Sequence, residues 1–359
     1  RYQDRITCYE IGNTPNRGRW SGFSSPGIVM ASYIGREQAK PFDIRLGGPN
    51  VSDFEPLYNA TYLGLLKRLD AAPDVHTDNL FVERVIEPEA YDHRVLGTQA
   101  RDWLKLNLVK KARMLQAMGQ AAGSPELFCT YTCWTIKRLQ RRSAWPEQKR
   151  VDYLVRYLAL AAASGALARV YWGPLICSRD GLVDDAADDY PVIDQVSYYQ
   201  RIRGSAENFK ATPAFAALAQ VVRRLSDAEC LQIQHDPTGL SVVEYRSAEG
   251  QHFLLSWCRD AQCYPLEHVL DRQQQGDATY YDAGGNTAPR PVVINEHPLY
   301  IELPGPSRPP VCKILHAANL KDIDHLSSEE WQSVPYASKQ WLGARLLRQQ
   351  HQPGDLLEA

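Results

Sequence analysis

Carboxyl and aromatic side chains lie in or just after several segments that the sequence predicts as β-strands. Glu10 belongs to the first of these segments, and Glu83 lies near the end of the third. A pair of carboxyl groups can attack a substrate and shuttle a proton, which is nucleophilic and general acid–base chemistry. Aromatic rings offer flat apolar faces to a ring-shaped ligand, and four of them lie at or beyond predicted strand ends: Trp20, Tyr131, Trp134 and Trp172. Together these residues predict a ligand site where the strands end.

The elements that must position these side chains alternate between strand-like and helix-like patterns. The predicted strands are 6–12, 42–48, 79–86, 127–134 and 168–176. Helical periodicity of the apolar residues predicts helices at 56–69, 98–118 and 148–163, with further helix within 197–225. This alternation favours an α/β architecture with parallel strands, and β/α barrels carry their active residues in the loops at the carboxyl ends of such strands.

A different pattern begins at about Leu231, where short β-rich runs are divided by turn residues. This pattern is typical of an all-β module. Beyond Lys313 the pattern is mixed, and the spacing Ser-x-x-Glu at 327–330 is that of a helix capping box. We therefore predict a barrel portion over residues 1–228, a β-sandwich domain over 229–312 and a mixed helical tail over 313–359.

The overall composition argues against two classes of partner. The chain has 359 residues, of which 44% are hydrophobic and 23% charged, and its formal net charge is -2. This balance gives no pull towards nucleic acid or an anionic membrane. The longest apolar run, 157–168, is interrupted by Gly165 and is too short to span a bilayer of about 30 Å. We predict no nucleic-acid partner and no transmembrane segment.

The eight cysteines show neither a C-x-x-C pair nor the His/Cys spacing of a zinc site. We therefore predict no metal and no cofactor. Most of the thiols are expected to be buried and unoxidised, which favours a reducing compartment and hence the cytoplasm. A periplasmic or secreted location stays open as the alternative.

Three motifs resemble the retaining glycoside hydrolases of clan A. The stretch YEIGNTPNRGRW, residues 9–20, resembles E-[ILVW]-x-N-E-P-N, whose second Glu is the catalytic acid/base, and Thr14 stands at that position. The run TYTCW, residues 130–134, resembles T-E-x-G-W, which places Tyr131 at the position of the nucleophile. The run VYWGPL places Trp172 where the family has a tryptophan under the bound sugar. The resemblance covers most of residues 5–304.

The resemblance implies a TIM (β/α)8-type barrel followed by a β-sandwich. If residues 9–13 end strand four of such a barrel, strands one to three are not part of this chain. An upstream segment or a partner chain is then expected to complete the barrel. The resemblance also implies that Asn13 holds a sugar hydroxyl and that Trp172 forms the floor of a subsite. Trp20 and Trp134 are further candidate carbohydrate-binding residues.

Both catalytic positions depart from the family pattern. Retaining hydrolysis uses two carboxyl groups about 5–5.5 Å apart. The hydroxyl of Thr14 cannot donate a proton at a useful pKa. The leading interpretation is therefore a pseudoenzyme that recognises a polysaccharide or oligosaccharide, in particular a bacterial polysaccharide, without ordinary two-carboxylate hydrolysis.

Two alternatives stay open. The chain is an active glycosidase or transglycosidase if Tyr131 acts as nucleophile, as a tyrosine does in sialidases, or if carboxyl groups such as Glu83, Glu87 and Glu89 have taken over. Glu10 is instead expected to be a buried partner of an arginine inside the barrel. The other alternative is a non-catalytic scaffold in a polysaccharide-assembly complex, in which the cleft is vestigial.

Overall fold

The computed structural model describes residues 6–80, 86–90, 94–95, 98–99, 106–177, 180–186, 192–193, 196–197, 205–235 and 239–307. The chain divides into two compact units, Arg1–Phe215 and Ala216–Ala359.

The first unit is built on a curled, five-stranded parallel sheet that forms a half-barrel. Its strands lie side by side in chain order and are β1 Tyr9–Glu10, β2 Leu46–Ser52, β3 Val75–Asn79, β4 Glu126–Thr132 and β5 Arg169–Trp172. The connecting helices are α1 Ser25–Ala39, α2 Pro56–Arg68, α3 Leu108–Ala122 and α4 Pro146–Ala163. The prediction of an α/β unit with parallel strands is confirmed.

Local sequence explains where these helices begin and end. Pro56 and Pro146 open α2 and α4, where the missing N–H of proline costs nothing. The side chain of Asn107 caps α3 by accepting a hydrogen bond from the N–H of Lys110 at 2.9 Å. Gly123 ends α3 with φ 102°, a left-handed conformation that glycine adopts without strain.

The helices cover one face of the sheet. His76 on β3 contacts the Leu115 carbonyl on α3 at 3.0 Å, and Cys129 on β4 contacts the Tyr157 hydroxyl on α4 at 3.5 Å. Because side chains alternate along a strand, the neighbouring residues Thr77 and Thr130 point to the opposite face. We call this opposite face the inner face.

Two strands differ from their predicted positions. The segment 42–48 was predicted as a strand, but β2 begins at Leu46 and continues to Ser52. The segment 79–86 was predicted because of its apolar run, whereas β3 lies earlier, at Val75–Asn79, and residues 81–85 lie outside the described residues. The sequence of β3 is VHTDN, whose polar side chains are buried, with His76 and Asp78 bonded to the helices, so hydropathy alone does not identify it.

The second unit contains a six-stranded antiparallel sheet. In chain order its elements are α5 Pro213–Leu225, which begins in the first unit, and β6 Glu229–His235, β7 Leu240–Arg246, β8 His252–Cys258, β9 Thr279–Tyr281, β10 Thr287–Ala288 and β11 Leu299–Leu303. The spatial order is β6-β7-β8-β11-β9-β10, and a separate antiparallel pair joins Tyr264–Pro265 to Val293–Ile294. The predicted change to a β-rich unit is confirmed.

The two faces of the six-stranded sheet are covered differently. On one face Leu254 and Ile301 belong to an apolar core. On the other face Arg224 of α5 lies 4.8 Å from the centre of the Tyr281 ring and donates to the Glu302 carboxylate at 2.6 Å. The second unit therefore contains its own core.

Candidate functional site

Asn50 on β2 forms hydrogen bonds to three other strands of the half-barrel. Its Nδ2 donates to Glu10 Oε2 on β1 at 2.8 Å, and its Oδ1 accepts from Thr130 Oγ1 on β4 at 3.0 Å. Its backbone N–H donates to Thr77 Oγ1 on β3 at 3.0 Å. Glu10, Asn50, Thr77 and Thr130 thus form a hydrogen-bonded row across the inner face, which we call the polar row.

Glu10 supplies the carboxyl group of the polar row. Its side chain is exposed, although the surrounding sheet raises its pKa by desolvation. Hydrogen bonds from Thr77 and Asn50 oppose this shift because they stabilise the carboxylate. Glu10 was expected to be a buried partner of an arginine, but in the described part of the chain it is exposed and bound to a neutral amide.

The loop after β1 is fastened to the end of β2. The N–H of Thr14 donates to the Asn50 carbonyl at 3.0 Å. Asn16 donates to the Ser52 carbonyl and accepts from the Ser52 N–H, both at 2.9 Å. The side-chain amide of Asn16 therefore extends the hydrogen bonding between β1 and β2, while Asn13 beside it is exposed.

Thr14, at the position of the acid/base, does not offer its hydroxyl to solvent. Thr14 has φ 45°, and its Oγ1 is buried without a hydrogen-bond partner among the described residues. A hydroxyl in this setting has neither the pKa nor the exposure of a proton donor to a bound substrate.

Tyr131, at the position of the nucleophile, is exposed over 39% of its surface. Its ring lies against Gly173, where a Cβ atom would come within 2.6 Å of the ring. Its hydroxyl contacts Cys133 Sγ at 3.3 Å. Burial raises the pKa of Cys133 to about 11, so this thiol stays protonated near neutral pH and cannot take the phenol proton.

Two of the three candidate tryptophans lie in an aromatic core. Trp134 and Trp172 stack with ring centres 5.7 Å apart and are 2% and 9% exposed. Tyr153 and Tyr157 of α4 meet the Trp134 ring edge-on, at 5.4 Å and 5.6 Å. Trp20, in contrast, is 55% exposed. The structure therefore brings Trp20 and Tyr131 to the surface and places Trp134 and Trp172 inside.

The candidate replacement carboxyl groups have other partners. Glu83 lies outside the described residues. Arg156 of α4 is fully buried, and its Nη2 lies 3.2 Å from Glu87 Oε2 and also contacts Glu89. Burial raises the pKa of Glu89, and the charge of Arg156 opposes this shift. Glu87 and Glu89 thus neutralise a buried guanidinium group.

Asn50 and Thr77 did not stand out in the sequence. The run Gly47-Gly48-Pro49-Asn50 looks like a turn that follows a strand, whereas it lies inside β2. The sequence contains one indication of this position, which is the asparagine itself, because Asn tolerates the left-handed backbone conformation that residue 50 adopts at φ 53°.

The described residues contain neither a metal-site cluster nor a helix able to span a bilayer. No group of three or more His, Cys, Asp or Glu side chains there has the arrangement of a metal site. No helix in the same part of the chain is long and apolar enough to cross a bilayer.

Comparison with known proteins gave matches at the level of structure alone. No family model and no curated protein matches the chain. The GH51 arabinofuranosidase from Xanthomonas axonopodis pv. citri has a TM-score of 0.48 at 8% identity, over 83% of this chain and 66% of that one. The catalytic domain of GH30 xylanase C from Talaromyces cellulolyticus has a TM-score of 0.42 at 10% identity, over 83% and 62%. SrfJ from Salmonella typhimurium has a TM-score of 0.45 at 8% identity, over 83% and 57%. The chain thus spans between 57% and 66% of the length of these structures.

Proposed function

We propose that the first unit recognises a glycan at the carboxyl ends of its strands and does not hydrolyse it by the two-carboxylate route. The observation that carries this proposal is the state of the two catalytic positions. Thr14 has a buried hydroxyl, and the hydroxyl of Tyr131 contacts a protonated thiol. Neither residue can replace the carboxyl pair that retaining hydrolysis requires.

The binding chemistry comes from exposed groups at the ends of β1 and β4. Tyr131 and Trp20 present aromatic faces on which the apolar face of a pyranose can stack. Asn13 is exposed and offers an amide to sugar hydroxyls, and Glu10 in the polar row offers a carboxyl group. Aromatic faces together with a few polar groups are the lining expected of small-ligand sites.

The wider setting follows from the family resemblance and is part of the same proposal. The half-barrel corresponds to strands four to eight of a TIM-type barrel, and a partner or upstream segment beside β1 completes it. The second unit corresponds to the β-sandwich that follows such barrels. The helical tail predicted over 313–359 lies outside the described residues. The glycan is a bacterial polysaccharide, and the compartment is the cytoplasm.

The test is a thermal-shift screen of oligosaccharides against the whole chain. A ligand at 100 times its Kd stabilises a protein by about 2.7 kcal/mol, which gives a measurable rise in Tm. Tyr131→Ala is expected to abolish this rise because it removes the stacking face. The matched control is Tyr58→Ala, because Tyr58 is similarly exposed but lies on the outer helix α2. If no sugar raises Tm, the scaffold interpretation is favoured.

A second candidate function is hydrolysis with a relocated acid, which the raised pKa of Glu10 favours. The same screen tests this second function when aryl glycosides are included and the product of their hydrolysis is measured. We expect no turnover. Turnover that survives Thr14→Ala and disappears in Glu10→Gln would overturn the leading proposal and assign the acid to Glu10.

A further inference from the structure

Three polar side chains lie together in the layer between the sheet and its helices. Asp78 and His76 belong to β3 and Asn59 belongs to α2, and all three are fully buried. Asn59 Nδ2 lies 2.9 Å from Asp78 Oδ2, and Asn59 Oδ1 lies 2.8 Å from His76 Nε2. His76 Nδ1 lies 3.0 Å from the Leu115 carbonyl. These contacts form an unbroken chain from Asp78 to Leu115.

The hydrogen-bond chemistry of this chain restricts where protons can be. The Leu115 carbonyl only accepts, so His76 Nδ1 must carry a hydrogen. If Asn59 turns its oxygen to His76, then Nε2 must also carry a hydrogen, and the imidazole is positively charged. The Asn59 NH2 group then faces Asp78 Oδ2 while the Phe54 N–H faces Oδ1 at 3.3 Å, so both carboxyl oxygens accept and Asp78 is ionised.

The opposite orientation of the Asn59 amide reverses both assignments. The oxygen and nitrogen of an amide occupy nearly equivalent positions, so its orientation is set by its partners. With the NH2 group towards His76, Nε2 accepts and the imidazole is neutral. The amide oxygen then faces Asp78, which must be protonated to donate to it. In either orientation Asp78 and His76 Nε2 together carry one proton. With no proton or with two, the Asn59 amide has two acceptors or two hydrogens facing each other on one of its sides.

The surroundings decide between the two arrangements. The ionisable groups around Asp78 are Asp53 in the loop after β2, Lys111 on α3, Cys129 on β4 and Tyr157 on α4. Of these, Lys111 alone stabilises the carboxylate, and its effect is small beside desolvation. Burial raises the pKa of Asp78 to about 8 and lowers that of His76 to about 4. Both groups are therefore uncharged near neutral pH.

We propose that Asp78, Asn59 and His76 form a single-proton relay in which the proton resides on Asp78 and the Asn59 amide donates to His76. The relay supports the loop after β2, because Asp78 Oδ1 accepts from the Phe54 N–H at 3.3 Å. Asp53 and Phe54 in this loop have φ of 72° and 59°, so the loop requires such support. This inference does not depend on glycan recognition.

The loop connects the relay to the candidate site. Asp53 Oδ2 lies 3.5 Å from Arg17 Nη2, and Arg17 follows Asn16 in the loop after β1. Ionisation of Asp78 places a negative charge against the oxygen of Asn59 and requires the amide to turn. The relay is therefore a pH-sensitive element beneath the strand-end loops: its three side chains satisfy one another below the pKa of Asp78, and above it the contact between Asp78 and Asn59 is lost in this arrangement.

The test compares the wild-type chain with Asp78→Asn in urea unfolding from pH 4 to pH 8. The new NH2 group donates to the Asn59 oxygen as the protonated carboxyl group does, so the variant keeps the relay in its uncharged form. The unfolded wild-type chain releases the Asp78 proton over this range, whereas the folded chain retains it. The ratio of the wild-type unfolding constant to that of the variant is therefore expected to rise by up to about tenfold per pH unit. A ratio that stays constant or falls with pH would overturn the relay.

A matched control variant and a second measurement test whether the effect belongs to the relay. Asp152→Asn changes another fully buried aspartate of the same unit, and an equal rise in that control would assign the effect to loss of charge in general. Nitrogen NMR of the wild-type chain labelled at histidine gives the second measurement, with His76→Gln used for assignment. At pH 7, His76 is expected to show one protonated and one unprotonated ring nitrogen, and two protonated nitrogens would refute the uncharged relay.

Discussion

Asn50 combines a left-handed backbone conformation with hydrogen bonds to three other strands. Its backbone has φ 53°, a left-handed conformation that costs most residues roughly 1 kcal/mol or more. Its side chain and backbone also bind Glu10, Thr130 and Thr77. The hydrogen bonds hold the residue in this conformation, and the conformation in turn aims the amide along the polar row.

Substitution of Asn50 separates these two contributions. Asn50→Gly keeps the backbone conformation and loses the side-chain hydrogen bonds, whereas Asn50→Ala loses both. We expect Asn50→Ala to be less stable than Asn50→Gly by about 1 kcal/mol, measured by urea denaturation. Equal stability of the two variants would show that φ at this position relaxes without cost.

Motif resemblance singled out exposed residues at the strand ends and missed the residues that support these strands. Asn13 and Tyr131 were identified through motif resemblance, and both are exposed at strand ends. Asn50 and Thr77 were missed because they act through contacts between strands that are 27 or more residues apart. Trp134 resembled a binding residue in sequence but lies in the core, since the motif does not specify which way a side chain turns.

Helix α4 shows how an element with many polar residues can be almost wholly buried. Of its residues, Lys149, Arg150, Asp152 and Arg156 are all buried beside apolar neighbours. The guanidinium group of Arg156 is neutralised by Glu87 and Glu89, which precede α3 in the chain. The ion pair thus fastens the segment after β3 to the fourth helix.

Removal of Arg156 is expected to leave two carboxylates uncompensated in the interior. Arg156→Leu should therefore lower the free energy of unfolding by about 3–5 kcal/mol, measured by denaturation in urea. The control is Arg246→Ala, which breaks the exposed ion pair with Glu229 and should cost no more than about 1 kcal/mol. A loss for Arg156→Leu as small as that of the control would contradict the assignment.

Among the helices, the sequence predicted best those whose apolar residues repeat at regular helical spacing. The periodicity over 56–69 and 148–163 matched α2 and α4 within about two residues. Helix α1 was missed because its apolar residues point to more than one side, with Ile28 buried and Met30 and Ile34 half exposed. The apolar pattern reports burial, so it fails where an apolar side chain faces solvent or a polar one is buried with partners.

Among the described residues, desolvation raises the pKa of several acidic groups. In the first unit, the pKa values of Asp78, Glu10 and Glu89 are all raised, with desolvation as the largest cause. Burial also raises the pKa of several thiols to about 11 in both units: Cys129, Cys133 and Cys263. A folded chain of this kind retains protons that the unfolded chain releases as pH rises.

The sign of the resulting pH dependence follows from this proton balance. A carboxyl group with a raised pKa loses its stabilising contribution as pH rises from its unfolded value through its folded value, which for Asp78 is about 4 to 8. His76 acts in the opposite direction, since its lowered pKa destabilises the fold as pH falls from 6.5 to about 4. As pH rises towards about 6.5, the stability lost through Asp78 and the stability gained through His76 cancel. Above that pH only the loss of stability from Asp78 continues.

We therefore expect the protein to be more stable in weakly acidic than in weakly alkaline solution. Asp78 by itself should lower the free energy of unfolding by about 2 kcal/mol between pH 6.5 and pH 8. Above pH 9 the buried thiols should lower it further, since unfolded thiols ionise there and the folded ones do not. Urea unfolding of the wild-type chain at half-unit intervals from pH 5 to pH 10 measures this profile. A maximum of stability above pH 8 would contradict this expectation, because it requires that the folded chain bind no more protons than the unfolded chain between pH 6.5 and pH 8.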